Sequence, residues 1–156
     1  MSTWSKNSIA SNRLFGTLLL VASLVAVDAS KASERTTNMK IRISIADKVV
    51  IATVADNATA RDFVSVLPLS VSMKDLFGRE KYGDLPKALS ENGPRKNTYE
   101  VGEIAYWSPD HQFAVYYHQD RESIPSPGVI PIAKIDAGAE AFNVLGSVKV
   151  TIAVAK

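Results

Sequence analysis

The sequence predicts a mainly β fold, a closed barrel of seven or eight short strands with two short helices. Apolar and polar residues alternate over short stretches, as at Ile41, Ile43 and Ile45, and this is the two-residue period of a half-buried strand. Turn-forming residues separate these stretches, for example at residues 108–111 (SPDH). Closure into a barrel removes the exposed edges that many short strands would otherwise present.

Each element follows from local pattern. Predicted strands cover residues 41–45, 49–54, 69–73, 103–107, 113–118, 129–135 and 147–154. A helix begins near residues 56–60 (DNATA) and ends at Pro68, and a second short helix is predicted over residues 137–145. Residues 75–98 contain several Gly and Pro among mixed charges and are predicted to form one long connection.

The composition excludes several classes of function. Three of the 18 basic and one of the 16 acidic residues precede Ser33, which leaves 15 of each in the rest of the chain. A neutral domain without clustered Lys and Arg gives no support to a nucleic-acid partner. The chain has no Cys, so disulfides, thiol nucleophiles and thiolate metal sites are excluded.

Residues 1–32 have the pattern of a cleavable signal peptide. Lys6 and Arg13 are followed by an apolar run from Leu14 to Val27. At about 1.5 Å per residue this run reaches about 21 Å, short of the roughly 30 Å hydrocarbon core of a bilayer. We therefore expect cleavage and no stable membrane anchor afterwards.

The leader predicts a periplasmic or secreted protein. Small residues allow cleavage before Ser30 or before Ser33, and the sequence does not distinguish the two. A polar, flexible lead-in at residues 33–39 then precedes a single domain at residues 40–156. The oligomeric state cannot be derived from the sequence.

The long connection carries the first candidate site residues. Long connections are usually functional or covering loops. Arg79, Glu80 and Tyr82 offer both charge signs and a phenol, and we interpret them as polar, orienting groups at the rim of a ligand-binding cleft. The alternative is a solvated loop in which Tyr82 plugs the barrel end and the charges pair locally.

Aromatic residues on two neighbouring strands supply the second part of the site. Alternation places Phe113 and Tyr117 on one face of their strand and Tyr116 and His118 on the other. One set fills the barrel and the other faces outward or toward a cleft. We predict that the wall of the site is formed by Tyr106, Trp107 and His118.

No metal, cofactor or catalytic residue is predicted. His111 and His118 are the only histidines, and the spacing of His118, Asp120 and Glu122 is too generic to indicate a metal site. No Ser has a credible base and acid pairing, and no Gly-rich phosphate-binding loop follows a strand. Whether the protein is an enzyme stays open.

Several segments occur in a familiar order. They are DNATA at residues 56–60, LPL at 67–69, EKYGDLP at 80–86, GEIAYWSP at 102–109, FAVYY at 113–117 and an apolar strand at 130–135. As a set they resemble the bacterial cyclophilin-like fold proteins over about Lys40 to Val154. The resemblance implies a closed eight-stranded cyclophilin-like barrel capped by two helices.

The resemblance does not bring an activity with it. Cyclophilins isomerise X-Pro bonds with an arginine in a Phe-His-Arg segment, beside a Phe-x-x-Gln-Gly-Gly-Asp-Phe segment, and this sequence has neither. Arg79 or Arg121 would be the nearest substitute. We therefore predict an exported domain that binds a small molecule or short peptide, and the alternative is a divergent peptidyl-prolyl cis-trans isomerase.

Overall fold

The alternating runs of the sequence form the strands of a closed antiparallel barrel. The computed structural model describes residues 39–156. The predicted signal peptide, its cleavage site and all but the last residue of the predicted lead-in lie outside the described residues. The strands are β1 (Lys40–Ile45), β2 (Lys48–Val54), β3 (Leu69–Leu76), β4 (Glu80–Asp84), β5 (Glu103–Trp107), β6 (Gln112–Tyr116), β7 (Ile130–Ile135) and β8 (Val148–Val154).

The barrel order confirms the predicted fold class. Around the ring the strands follow β1-β2-β7-β5-β6-β4-β3-β8, and every neighbouring pair is antiparallel. Ile41, Ile43 and Ile45 point inward and are at most 1% exposed, as the alternation in β1 predicts. Apolar side chains from seven of the eight strands, all except β4, fill the interior, so burial of apolar surface is the main stabilising term.

Helix α1 (Ala58–Ser65) packs against β7. Its N-cap is Asn57, whose side chain accepts a hydrogen bond from the Ala60 amide at 2.8 Å and donates one to the Pro131 carbonyl at 2.8 Å. Phe63 is buried in the barrel core against Phe113, with ring centroids 5.6 Å apart. Within residues 39–156, no helix is long and apolar enough to span a membrane.

The second predicted helix, over residues 137–145, is wrong. The structure has only a short 3₁₀ turn there, Ala139–Phe142, and a similar turn at Ser108–Asp110. Gly138 has a left-handed backbone with φ of 89°, and Asn143 has a ψ of 68°, so neither residue continues a helix. The turn nevertheless buries Phe142 completely.

The predicted long connection from Asp75 to Thr98 is wrong in its first part, and the long connection that the structure shows covers residues 85–102, between β4 and β5. β3 extends to Leu76, and β4 (Glu80–Asp84) pairs with both β3 and β6. Sequence periodicity misses β4 because its pattern, EKYGD, contains almost no apolar residues. Gly83 faces inward where a Cβ would lie 2.9 Å from a methyl group of Val71, so the barrel interior requires a glycine there.

Lys81 is the inward-facing charge of β4. The side chain is fully buried, and its ammonium group donates to the carbonyl oxygens of Val144 at 2.6 Å and Gly146 at 2.8 Å. A third partner is the Asp75 carboxylate, 2.9 Å away. A buried charge is tolerated only when it is paired and hydrogen-bonded, and these three acceptors meet that condition.

The hydrogen bonds around Asp75 also change its ionisation. Burial by itself raises the pKa of Asp75, but the hydrogen bonds from Tyr117 and Lys81 outweigh it and lower the pKa overall. Burial and the same contact raise the pKa of Tyr117 to about 12. The ion pair lies within the β3–β4 hairpin, and the hydrogen bonds from Lys81 to Val144 and Gly146 connect this hairpin to the segment before β8.

We expect Lys81→Met to destabilise the fold by on the order of 3 kcal/mol, because it removes the counter-ion of the Asp75 carboxylate and the donor to two buried carbonyl oxygens. Urea unfolding followed by circular dichroism measures the change. The matched control is Lys149→Met on β8, where the lysine is exposed. Equal stability of the two variants would show that the buried contacts contribute nothing net.

Candidate functional site

A cavity of about 420 Å³ lies on the outer face of the barrel, over strands β4, β6 and β5. Strand register explains its position. A row of residues crosses the three strands, formed by Tyr82 on β4, Ala114 on β6 and Ala105 on β5. The rows on either side of it contain larger side chains, and Ala114 in the middle row lines the cavity. The small side chain in this middle row leaves room that a larger residue would fill.

The two flanking rows form the ends of the cavity. Glu80 pairs with Tyr116 at one end. At the other end, Asp84 pairs with Gln112, and Gln112 pairs with Trp107. Because alternate residues of a strand share a face, all of these side chains belong to the outer face of the sheet.

A network of charges and hydroxyl groups lies at the Glu80 end. Arg79 Nε is 3.7 Å from Glu80 Oε2, and Arg79 Nη1 is 3.3 Å from Asp120 Oδ2. The Tyr99 hydroxyl donates to the other Asp120 oxygen, and the Asp120 amide donates back to the Tyr99 hydroxyl at 3.0 Å. The guanidinium carbon is also 5.3 Å from the centre of the Tyr99 ring.

Burial perturbs the ionisation of this network. The Arg79 and Glu80 side chains are 7% and 8% exposed. Burial raises the pKa of the Glu80 carboxyl, and the opposing effects of the Arg79 charge and a Tyr116 hydrogen bond are smaller. Burial and the adjacent Glu80 charge raise the pKa of Tyr116. The hydrogen bond from Tyr99 lowers the pKa of Asp120.

Two polar atoms of this network have no hydrogen-bond partner within residues 39–156. They are Arg79 Nε and Glu80 Oε2, and both are buried. Buried polar groups in folded proteins almost always have a hydrogen-bond partner, and these two atoms instead face each other in an ion pair at 3.7 Å. The unpartnered donor and acceptor both belong to residues that line the cavity.

A second apolar cluster borders the cavity. Tyr99 stacks on Tyr116 with ring centroids 4.3 Å apart, and Ile124 and Val129 pack beside them. Tyr82 and Trp107 lie partly exposed at the edge of this outer cluster. The segments around Tyr99 and Ile124 thus cover part of the outer sheet face and bound the cavity.

Phe77 forms an exposed rim of the cavity. It occupies the turn between β3 and β4, is 76% exposed and has a φ of 57°. A left-handed backbone conformation is unfavourable for a bulky side chain such as that of Phe. Residues held in this conformation cluster at ligand-binding sites. Its ring lies 5.2 Å from the Arg79 guanidinium carbon.

Four of the six predicted site residues lie together in the structure. Arg79, Glu80, Tyr82 and Trp107 all line the cavity. They reach it from strand β4 and strand β5, and Arg79 directly precedes β4. The interpretation of the first three as loop residues is therefore corrected, since Glu80 and Tyr82 belong to a barrel strand.

Two of the predicted wall residues lie elsewhere. Tyr106 is fully buried in the barrel core, where its hydroxyl accepts a hydrogen bond from the Leu89 amide at 3.2 Å. His118 is exposed beyond the end of β6 and is not among the lining residues. Its predicted strand, residues 113–118, ends at Tyr116. Arg121 is exposed too and does not line the cavity.

Sequence reasoning missed several lining residues. Ala114, Phe77, Gln112 and Asp110 were not proposed as site residues. Strand alternation could have found Ala114 and Gln112, because both share a face with Tyr116. Among the described residues, no group of three or more His, Asp or Glu side chains is placed to hold a metal ion.

As pH falls from about 7 to about 5, we expect the free energy of unfolding of the wild type to rise relative to that of the Glu80→Gln variant. The folded-state pKa of Glu80 is raised above its ordinary value of 4.5. The folded state therefore binds the proton at a higher pH than the unfolded state, and acidification removes the cost of the buried carboxylate. Urea midpoints of both proteins across this range measure the effect.

The control for this titration is Glu122→Gln, at an exposed carboxyl group. A stability difference between wild type and Glu80→Gln that does not change with pH would contradict the raised pKa of Glu80.

Comparisons with known proteins agree with the barrel. The solution structure of the hypothetical protein AF2241 from Archaeoglobus fulgidus is similar, with a TM-score of 0.63 and 21% sequence identity. The match covers 78% of this chain and 98% of that chain. At this identity the likeness concerns the fold alone. No curated protein matches the chain significantly.

The family comparison is more direct. A model of the Cyclophilin-like family matches residues 43–153, which include seven of the eight barrel strands in full or nearly so, the helix and all of the strands that line the cavity. The match spans well over half of the 156 residues. On this evidence, the chain belongs to the Cyclophilin-like family.

Proposed function

We propose that the protein is an exported cyclophilin-like domain that binds a small molecule or short peptide in the cavity on its outer face. The observation that carries the proposal is the hollow over Ala114, bounded by the Tyr116 row and the Trp107 row. No catalysis is assigned to it. Fold alone does not determine function, so the argument rests on the cavity.

The cavity has the size and chemistry of a small-ligand site. Its volume of about 420 Å³ lies within the usual range of roughly 300–1,000 Å³. Tyr82 and Trp107 offer partly exposed aromatic surface, and Phe77 adds an exposed ring at the rim. Amphipathic aromatic rings bind apolar groups at a low cost in side-chain entropy.

Export is supported by sequence alone. The basic residues and apolar run of residues 1–32 are typical of a signal peptide, which favours a periplasmic or secreted location. The equal numbers of acidic and basic residues after Ser33 give no reason to include a nucleic-acid partner.

We expect Ala114→Leu to abolish ligand binding, because the added methyl groups enter the hollow between Tyr82 and Trp107. Ala114 is 5% exposed in the outer apolar cluster and the substitution adds no volume to the barrel core, so circular dichroism is used to verify that the variant is folded. Suitable probes are 2-phenylethanol and the capped dipeptide acetyl-Ala-Pro-amide. Amide chemical shifts in NMR titrations measure binding and locate it.

Ala153→Leu on β8 is the matched control, because Ala153 is a partly exposed position away from the cavity. Wild type and this control should show probe-induced shifts confined to the residues that line the cavity, on β4, β5 and β6, in the turns at Phe77 and Ser108–Asp110 and in the segment from Ile124 to Val129. Shifts located elsewhere, or shifts that persist in Ala114→Leu, would refute binding in the cavity.

One observation supports a second candidate function, a divergent prolyl isomerase. Arg79 lines the cavity beside its aromatic surface, whereas Arg121 does not. A positioned cation is the kind of group that stabilises a developing charge. However, two carboxylates already compensate the Arg79 guanidinium, which weakens its effect on a bound peptide.

We therefore expect no acceleration of prolyl isomerisation in a protease-coupled assay of the purified protein. Arg79→Ala and Arg121→Ala form the matched pair for this measurement. Catalysis by the wild type that disappears in Arg79→Ala and survives in Arg121→Ala would establish the isomerase in place of the binding domain.

A further inference from the structure

Two carboxylates lie at the Trp107 end of the cavity: Asp110 lines it, and Asp84, opposite Gln112 in the strand register, lies beside it without lining it. Asp110 accepts a hydrogen bond from the Trp107 indole nitrogen at 3.0 Å, and Asp84 accepts one from the Gln112 amide at 2.7 Å. Trp107, Gln112 and Asp84 lie opposite one another in the strand register, so the two carboxylates flank the same row of the outer face. Both acids are exposed at the sheet surface.

Neither carboxylate is neutralised by a cation of the described chain. No Lys or Arg within residues 39–156 forms an ion pair with Asp84 or Asp110, and the donors that hold them, an indole and a carboxamide, are uncharged. Neutral donors orient a carboxylate without cancelling its charge. Two negative charges therefore remain available at this end of the cavity.

Three basic residues of neighbouring segments do not pair with these carboxylates. Arg79 belongs to the opposite end of the cavity and pairs with Glu80 and Asp120. Arg95 approaches Ser108 but pairs with Glu91. Lys74 lies opposite Tyr82 in the β3–β4 pairing, is exposed and does not line the cavity.

The opposite end of the cavity holds a buried carboxylate, Glu80, whose Oε2 atom faces Arg79 Nε at 3.7 Å. The Glu80 side chain is 92% buried, lines the cavity and leaves its Oε2 atom without a hydrogen-bond partner among the described residues. Of the ionisable side chains that line the cavity, Glu80 and Asp110 are acidic and Arg79 is the basic one. The wall is thus acidic as well as aromatic.

We propose that the cavity selects cationic ligands, an ammonium or guanidinium group carried on an apolar body. The cation lies at the face of Trp107 between Asp84 and Asp110, and the apolar body lies over Ala114 against Tyr82. An aromatic ring beside carboxylates attracts a cation through the negative face of the ring and through charge. This inference rests on the proposed binding function and names the class of ligand.

Three probes of equal shape test the inference: 2-phenylethylamine, 2-phenylethanol and phenylacetate. They present a positive, a neutral and a negative group on the same body. NMR titration of the protein gives a dissociation constant for each. We expect the amine to bind at least about fivefold more tightly than the alcohol, and phenylacetate to bind most weakly. High salt should reduce the preference because the carboxylates are exposed.

The double variant Asp84→Asn/Asp110→Asn keeps the hydrogen-bond acceptors for Gln112 and Trp107 but removes both charges. We expect its affinities for the amine and the alcohol to differ by less than about twofold. Asp47→Asn, in the exposed turn between β1 and β2, is the matched control and should keep the full preference.

The possible outcomes separate the two proposals. Equal binding of the amine and the alcohol to the wild type, with shifts in the cavity, would overturn the cation preference and leave the binding function intact. A preference that persists in the double variant would overturn the assignment to Asp84 and Asp110. If none of the three probes shifts cavity residues, the binding function itself fails.

Discussion

Strand β4 joins the barrel through charged contacts on both of its faces. Lys81 points inward and satisfies its ammonium group with Asp75 and two backbone carbonyls, while Glu80 points outward beside Arg79. A lone buried charge would be too costly, so β4 can form only when the segment before β8 and the hairpin with β3 are also in place. The barrel closes through β4, and the outer cavity exists because β4 lies next to β6.

This dependence explains what could and could not be predicted from the sequence. Apolar alternation identified β1, β2, β5, β6, β7 and β8 with nearly correct bounds, because their inward residues are ordinary apolar side chains. β4 was missed because Lys81 is stabilised by Val144 and Gly146, more than 60 residues away. No local pattern reveals partners at that separation. Because β4 was missed, the sequence analysis assigned Arg79, Glu80 and Tyr82 to a loop.

Some residues that line the cavity could be identified from the sequence, but their arrangement in space could be predicted less well. The concentration of aromatic residues drew attention to Trp107, which lines the cavity with Arg79, Glu80 and Tyr82. Tyr106, the preceding residue, had to face the other side of β5, and strand alternation contained that information. His118 lies beyond the strand because β6 ends at Tyr116. The importance of Ala114 depends on which strands are neighbours, and only the fold provides that.

The two ends of the cavity differ in how their charged groups are held in place. At the Glu80 end, aromatic stacking of Tyr99 on Tyr116 and the paired Arg79 guanidinium hold buried charges in one arrangement. At the Trp107 end, the carboxylates are exposed and are held by single hydrogen bonds to neutral donors. A preformed polar network discriminates sharply between ligand shapes, whereas exposed charges mainly discriminate between ligand charges. The register of three strands thus places the buried polar network and the exposed carboxylates at opposite ends of one hollow, with Ala114 providing the space between them.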